Sequence, residues 1–249
     1  MARSLQHPSK KQTGPPAKGF TLIELLAVIT IIALLASLLL PAAGDIVKKA
    51  RRAVAAKNLR SIAVAYLAYT YDGGDTKQLN AASIHDWARI LAQYANLNDP
   101  SIYILKNDPL VEAIDLPFPQ KIAQPGQNPG DPWEIDPLFA QYPISFAVAN
   151  RLAANAPTST TPLAWTRGLQ AKGTWTALNH PQPSPNGQDG GHIVFLDGHV
   201  EWHENLNQAH GALLDSISQE PTHDIQRAIG PQAKILQNPT PDKQNRKEY

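Results

Sequence analysis

From Phe20 to Leu40 the chain is apolar at every position except Thr21, Glu24, Thr30 and Ser37. A helix of that length rises far enough to cross the roughly 30 Å hydrocarbon core of a bilayer. At Pro41 the missing amide and the ring clash predict a bend. Beyond it the pattern becomes periodic: Val47, Ala50, Val54, Ile62, Ala65 and Tyr69 recur at steps of three or four, apart from a gap at Asn58. The spacing predicts one long helix, membrane-spanning over residues 20–41 and amphipathic over 42–72. Consecutive glycines between acids, Asp72-Gly73-Gly74-Asp75, should end it.

The pattern after residue 73 predicts a globular head over 73–210. Ser83-Ile84-His85-Asp86 has the form of a capping box, and Ile84, Trp87, Leu91 and Tyr94 mark one inward face of a short helix reaching about Leu97. Segments 108–143 and 157–185 are crowded with Pro, Gly, Asn and Gln, which predicts loops. Between them, Tyr142 to Asn150 fits either a strand or a short helix, and Thr174 to Leu178 is a weaker strand. Residues 211–249 are polar and proline-rich toward the end, which predicts a partly disordered tail.

The sharpest local signal is Asp197-Gly198 between His192–Leu196 and His199–His203, the dipeptide of a two-residue hairpin turn. That turn predicts the pairs Leu196 with His199, Phe195 with Val200, Val194 with Glu201, Ile193 with Trp202, and His192 with His203. Ile193, Phe195, Val200 and Trp202 would then form an apolar face laid on the long helix. The other face would gather His192, His199, Glu201 and His203, a possible nitrogen and oxygen ligand set for a metal. A solvated outer face of an antiparallel sheet explains the same pattern without a metal, so no cofactor is expected.

Charge changes the picture at two places. The leader, residues 1–19, holds Arg3, Lys10, Lys11 and Lys18 and no acid, leaving 18 Lys+Arg against 21 Asp+Glu in the rest of the chain. A cation run, Lys48, Lys49, Arg51, Arg52, Lys57 and Arg60, follows the apolar segment and outnumbers the leader cations. By a count of flanking cations alone, the far side of the helix would face the cytoplasm. The run reads most simply as a solvated helix face, and no aromatic interleaving favours nucleic acid. Glu24 is the anomaly. A carboxylate among lipid tails costs on the order of 2.5–3.5 kcal/mol on insertion scales unless it has a partner. A cut after Gly19 would supply one, since the new α-amino group of Phe20 lies four residues before Glu24 on the same helical face.

Lys18-Gly19-Phe20-Thr21-Leu22-Ile23-Glu24 and the apolar run to Pro41 resemble the prepilin signature of type IV pilins and type II secretion pseudopilins. The resemblance implies an α+β, pilin-like fold in which a long helix packs on a small antiparallel-sheet head. It implies cleavage after Gly19 by a prepilin peptidase and N-methylation at Phe20. It also gives Glu24 a role in assembly register and Pro41 one in bending the helix. Against the flanking-cation count, it places the amino terminus in the cytoplasm and the head in the periplasm, anchored in the inner membrane. Asp197-Gly198-His199-Val200 also resembles a carboxyl-terminal motif of pilin-like proteins from planctomycete and verrucomicrobial lineages. Their upstream histidine is not matched, because Gly187 occupies that position.

There is no cysteine, which removes disulfides, thiolate nucleophiles and cysteine zinc sites. No phosphate loop, nucleophile elbow or histidine-glutamate zinc helix occurs, and nothing in the spacing of His180, Asp189 and Asp197 requires an acid-base site. The expected role is therefore structural rather than enzymatic: a filament subunit for type II secretion, with the peptidase, other pilin-like subunits, an inner-membrane assembly platform and lipid as partners. The alternatives are a minor pilin for a pilus or DNA uptake, and a membrane-tethered binding module that does not polymerise.

Overall fold

The computed structural model describes residues 19–71, 78–128, 130–207 and 213–239, without the side chains of 38–43. The leader cations, the expected helix break at Asp72–Asp75 and the last ten residues lie outside the described residues. The chain divides into two compact units, residues 1–48 and 49–249.

Helix α1 runs Leu22–Thr70, as the joined apolar and periodic segments predict. Pro41 lies within it, and the bend expected there falls in the stretch without described side chains. In the first unit every described side chain from Gly19 to Ser37 is exposed. Among the described residues, no helix is long and apolar enough to cross a membrane.

In the second unit the carboxyl-terminal part of α1 joins the head's core. Ala55, Leu59, Ile62, Ala63 and Tyr66 are buried, and Tyr66 stacks on Trp87 at 6.1 Å. The inward stripe is rotated from the expected one. Val54 is 52% exposed, whereas Asn58, the apparent gap, is buried and donates to Ser101 O at 2.8 Å. A polar side chain with a backbone acceptor satisfies burial as an apolar one does, and this moves the face.

Helix α2, Ile84–Ala95, begins as the capping box predicts: Ser83 Oγ accepts from Asp86 N at 3.1 Å. A short helix α3, Pro109–Glu112, is capped by Asp108. Two small ladders are separate from the main sheet: β1, Ala123–Gln124, with β2, Glu134–Ile135; and β7, Leu213–Leu214, with β8, Pro221–Thr222. The main sheet contains β3, Phe146–Asn150; β4, Pro162–Thr166; β5, Gly191–Phe195; β6, Val200–His203; and β9, Lys234–Leu236. Its order is β6-β5-β4-β3-β9, antiparallel throughout. The fold is α+β, with an N-terminal helix packed on a small antiparallel sheet.

The structure settles Tyr142–Asn150 as containing a strand and corrects three other expectations. The central strand β4 lies where loops were expected. Its Pro162 sits at the first strand position, where a proline is tolerated, and the short run Leu163-Ala164-Trp165 is wholly buried. Residues expected to form a loose tail supply the edge strand β9 and a helix α4, Ile225–Ile229, because Ile225, Ala228, Ile229 and Ala233 bury their side chains. Thr174–Leu178 forms only an isolated bridge, Leu169 to Trp175.

The hairpin exists, but its register is shifted by one residue. Gly198 N donates to Phe195 O, Phe195 N donates to His199 O, and Gly198 has φ +86°. These are the marks of a three-residue loop closed by a glycine bulge rather than a two-residue turn. His192 now faces Trp202, Ile193 faces Glu201 and Val194 faces Val200. The predicted apolar face of Ile193, Phe195, Val200 and Trp202 is therefore divided between the two sides of the sheet. All of β5 is buried, and a side chain on Gly191 would collide with Trp175 Nε1.

Candidate functional site

The start of α1 carries the candidate chemistry. Among the described residues nothing lies within 4 Å of where a side chain on Gly19 would begin, and Phe20 is 79% exposed. Thr21 and Glu24 then close a reciprocal cap. Thr21 N and Thr21 Oγ1 both donate to Glu24 Oε2, at 2.9 and 2.8 Å, and Glu24 N donates to Thr21 Oγ1 at 3.3 Å. This is the Ser/Thr-x-x-Glu capping box, which satisfies orphan amides at a helix start and puts an anion at the positive end of the helix dipole. Thr21 was missed in the sequence, although its spacing to Glu24 before an apolar run is the signal for such a box.

The next turns are apolar on all sides. Leu22, Ile23, Leu25, Leu26, Ile29 and Ile32 are each more than half exposed. Fully burying one such side chain is worth about 1.5–3 kcal/mol, so this surface calls for lipid or protein cover. The polar residues inside the run do not oppose that. Thr30 Oγ1 donates to Leu26 O at 2.6 Å, and Ser37 Oγ donates to Leu34 O at 2.8 Å, both within the helix. Glu24 alone brings a charge.

The other candidates resolve differently. Glu201 Oε1 lies 3.7 Å from His199 Nε2 and its Oε2 lies 3.3 Å from His203 Nε2. The shifted register sends His192 to the opposite side, where it meets Trp202 edge-on at 4.8 Å. The four ligands expected of a metal cluster are thus not brought together, and among the described residues no group of three or more such side chains fits a metal. Burial, and then the charges of Arg52 and His203, push the His192 imidazole down to about 4. His180, Asp189 and Asp197 are held apart by separate partners: Gln182 N donates to His180 Nδ1, Arg52 Nη2 pairs with Asp189 at 3.5 Å, and His199 N donates to Asp197 Oδ1. Within the cation run, Arg52 lies over the Trp202 ring at 4.0 Å, which ties α1 to β6, whereas Lys57 and Arg60 are exposed.

The family model described as the prokaryotic N-terminal methylation motif matches residues 15–40. No curated protein and no solved structure matches the chain. The match covers the helix start just described, including Gly19, Phe20, Thr21 and Glu24, and stops before the head. By that match the chain carries the type IV pilin and pseudopilin signature.

Proposed function

We propose that the chain is a pseudopilin-like structural subunit and not an enzyme. A prepilin peptidase trims it after Gly19, its new terminus is methylated at Phe20, and it is built into an inner-membrane-based filament. The observation that carries this reading is a single capped carboxylate at the head of a helix whose first turns are otherwise apolar on every side. Such a surface gains by packing against lipid or sister helices. The lone charge penalises every position except those in which a cation faces it. The cleaved terminus of a neighbouring subunit is such a cation. The amino terminus faces the cytoplasm and the head the periplasm, and an assembly platform in the inner membrane draws the trimmed subunit out of the lipid.

Within this class we assign the filament to type II secretion rather than to DNA uptake. In support, the mature chain carries fewer cations than acids, a poor balance for holding a polyanion. Glu24→Ala and Glu24→Gln test the mechanism together. Both are expected to insert and to be cleaved. Glutamine keeps an oxygen for Thr21 but no charge, so both variants should fail to form filaments if charge sets the register. Normal filament yield from Glu24→Gln, seen by electron microscopy of sheared cells, would contradict it.

A further inference from the structure

Lys57, Arg60, Val64 and Ala68 are spaced three or four residues apart and therefore stand in one row on the outward side of α1. Val64 is 59% exposed. With Ser61, Ala65, Ala95 and Leu97 the row borders an open groove of about 470 Å³, apolar along its floor and cationic at one rim. The head also presents an exposed segment of opposite charge, here called the knob. Over residues 112–117, Glu112 and Asp115 are exposed just before Leu116, itself 41% exposed. This knob is stiff. Tyr142 Oη donates to Leu116 O at 2.6 Å, Ile114 N donates to Val111 O at 3.1 Å, and Phe118 meets Tyr142 edge-on at 5.8 Å.

We propose that the 112–117 knob of one copy docks in the α1 groove of the next, Leu116 against Val64 and Ala68, with Glu112 and Asp115 facing Lys57 and Arg60. An apolar centre with a charged rim is the ordinary anatomy of a protein interface, and a pre-ordered knob loses little entropy on docking. The two patches differ, so the contact is heterologous. Each copy offers both a knob and a groove, and the contact repeats along a polymer instead of closing a dimer. An anionic lipid surface would meet the two cations but leave the groove floor unfilled. The inference rests on the filament reading and deepens it by naming a contact between heads.

The absence of native cysteine makes crosslinking direct. Full-length chain carrying both Val64→Cys and Leu116→Cys is expected to give a ladder of dimer, trimer and higher species on oxidation in cells containing the peptidase. Chains carrying one of the two substitutions each, when co-expressed, should stop at dimer. Lys57→Glu with Arg60→Glu should cut the ladder about tenfold, and adding Glu112→Lys with Asp115→Lys should restore it. Filaments without a ladder overturn the knob-and-groove contact and leave the filament reading standing. The absence of both overturns both. A ladder indifferent to charge reversal overturns the assignment of the rim. Loss of sedimentation with phosphatidylglycerol vesicles in the charge-reversed chain, without any ladder in the cysteine pair, gives the groove to lipid and overturns the proposal.

Discussion

Replacing Asp108 by Asn should strip the head of much of its stability. Asp108 is fully buried and Arg167 is 1% exposed, and the two make an ion pair of 2.6 Å. The carboxylate also accepts from Ser145 Oγ at 2.6 Å and from Leu110 N at 3.0 Å. Arg167 gives its other donors to Ile144 O and Pro183 O. A well hydrogen-bonded buried pair roughly balances its desolvation cost, but one partner left alone costs about 3–5 kcal/mol. Asn keeps the shape and removes the charge, so Arg167 would remain buried and uncompensated. Domains are stable by only about 5–15 kcal/mol, so a loss of this size is easily read. The assay is urea unfolding of the full chain in detergent, followed by the emission of the buried Trp87, Trp165 and Trp175. The midpoint should fall with the slope unchanged, giving a loss of about 3 kcal/mol or more. Asp108→Leu with Arg167→Met should recover at least half of it. A loss below about 1 kcal/mol for Asp108→Asn would refute the reasoning.

Three further outcomes follow from local geometry. His192 is neutral in the fold, with its folded value near 4 set first by burial. The unfolded chain therefore binds the extra proton, and stability present above about pH 6.5 should drain away as the pH falls toward 4. His192→Phe should flatten the melting temperature across that window, and an unchanged slope would remove His192 as the cause. Gly198→Ala places a side chain at φ +86° with open space around it, so thermal unfolding should report a loss of about 1 kcal/mol from conformation alone. Leu59→Ala removes a fully buried side chain from the α1 face of the core and should cost about 2–5 kcal/mol in urea unfolding, depending on how far the site collapses.

The parts of the molecule legible in the sequence were those governed by local rules. The apolar run, the Ser83 cap, the start of α2 and the position of the hairpin turn each depend on residues within a few positions of one another. The misread parts depend on distant partners. β4 looked like a loop because the segment 157–185 that contains it is crowded with Pro, Gly, Asn and Gln, yet the sheet needed a short buried strand there. β9 looked like tail because its three residues find their ladder only against β3, far back in the chain. In the hairpin, Asp197-Gly198 admits two loop geometries, and the glycine bulge moves every cross-strand pair by one. That single residue is what dissolves the His192, His199, Glu201 and His203 cluster. At the candidate site Glu24 was legible because a charge in an apolar run is conspicuous, and that anomaly drew attention away from Thr21, whose Thr-x-x-Glu spacing is itself a capping-box signal.

Those bonds bear on how a filament subunit finds its register. A carboxylate has two oxygens and about four acceptor sites, and Thr21 occupies sites on Oε2 only. The cap therefore leaves Glu24 able to receive an ammonium group while already fixing where the carboxylate points. Pre-aiming lowers the entropy lost when a partner arrives, so under the proposed function Thr21 would act as a positioning residue for Glu24. Thr21→Val keeps the bulk and removes the hydroxyl, at about 1 kcal/mol for the cap. If that energy is spent on aiming, filament yield relative to the membrane pool should fall about fivefold, with cleavage at Gly19 unaltered, and Thr21→Ser should restore it. A yield equal to the unaltered chain would show that Glu24 finds its partner without guidance. A complete block equal to that of Glu24→Ala would mean that the hydroxyl is part of the binding site itself. Only an intermediate yield, rescued by serine, is consistent with a threonine that holds the charge in place for the next subunit.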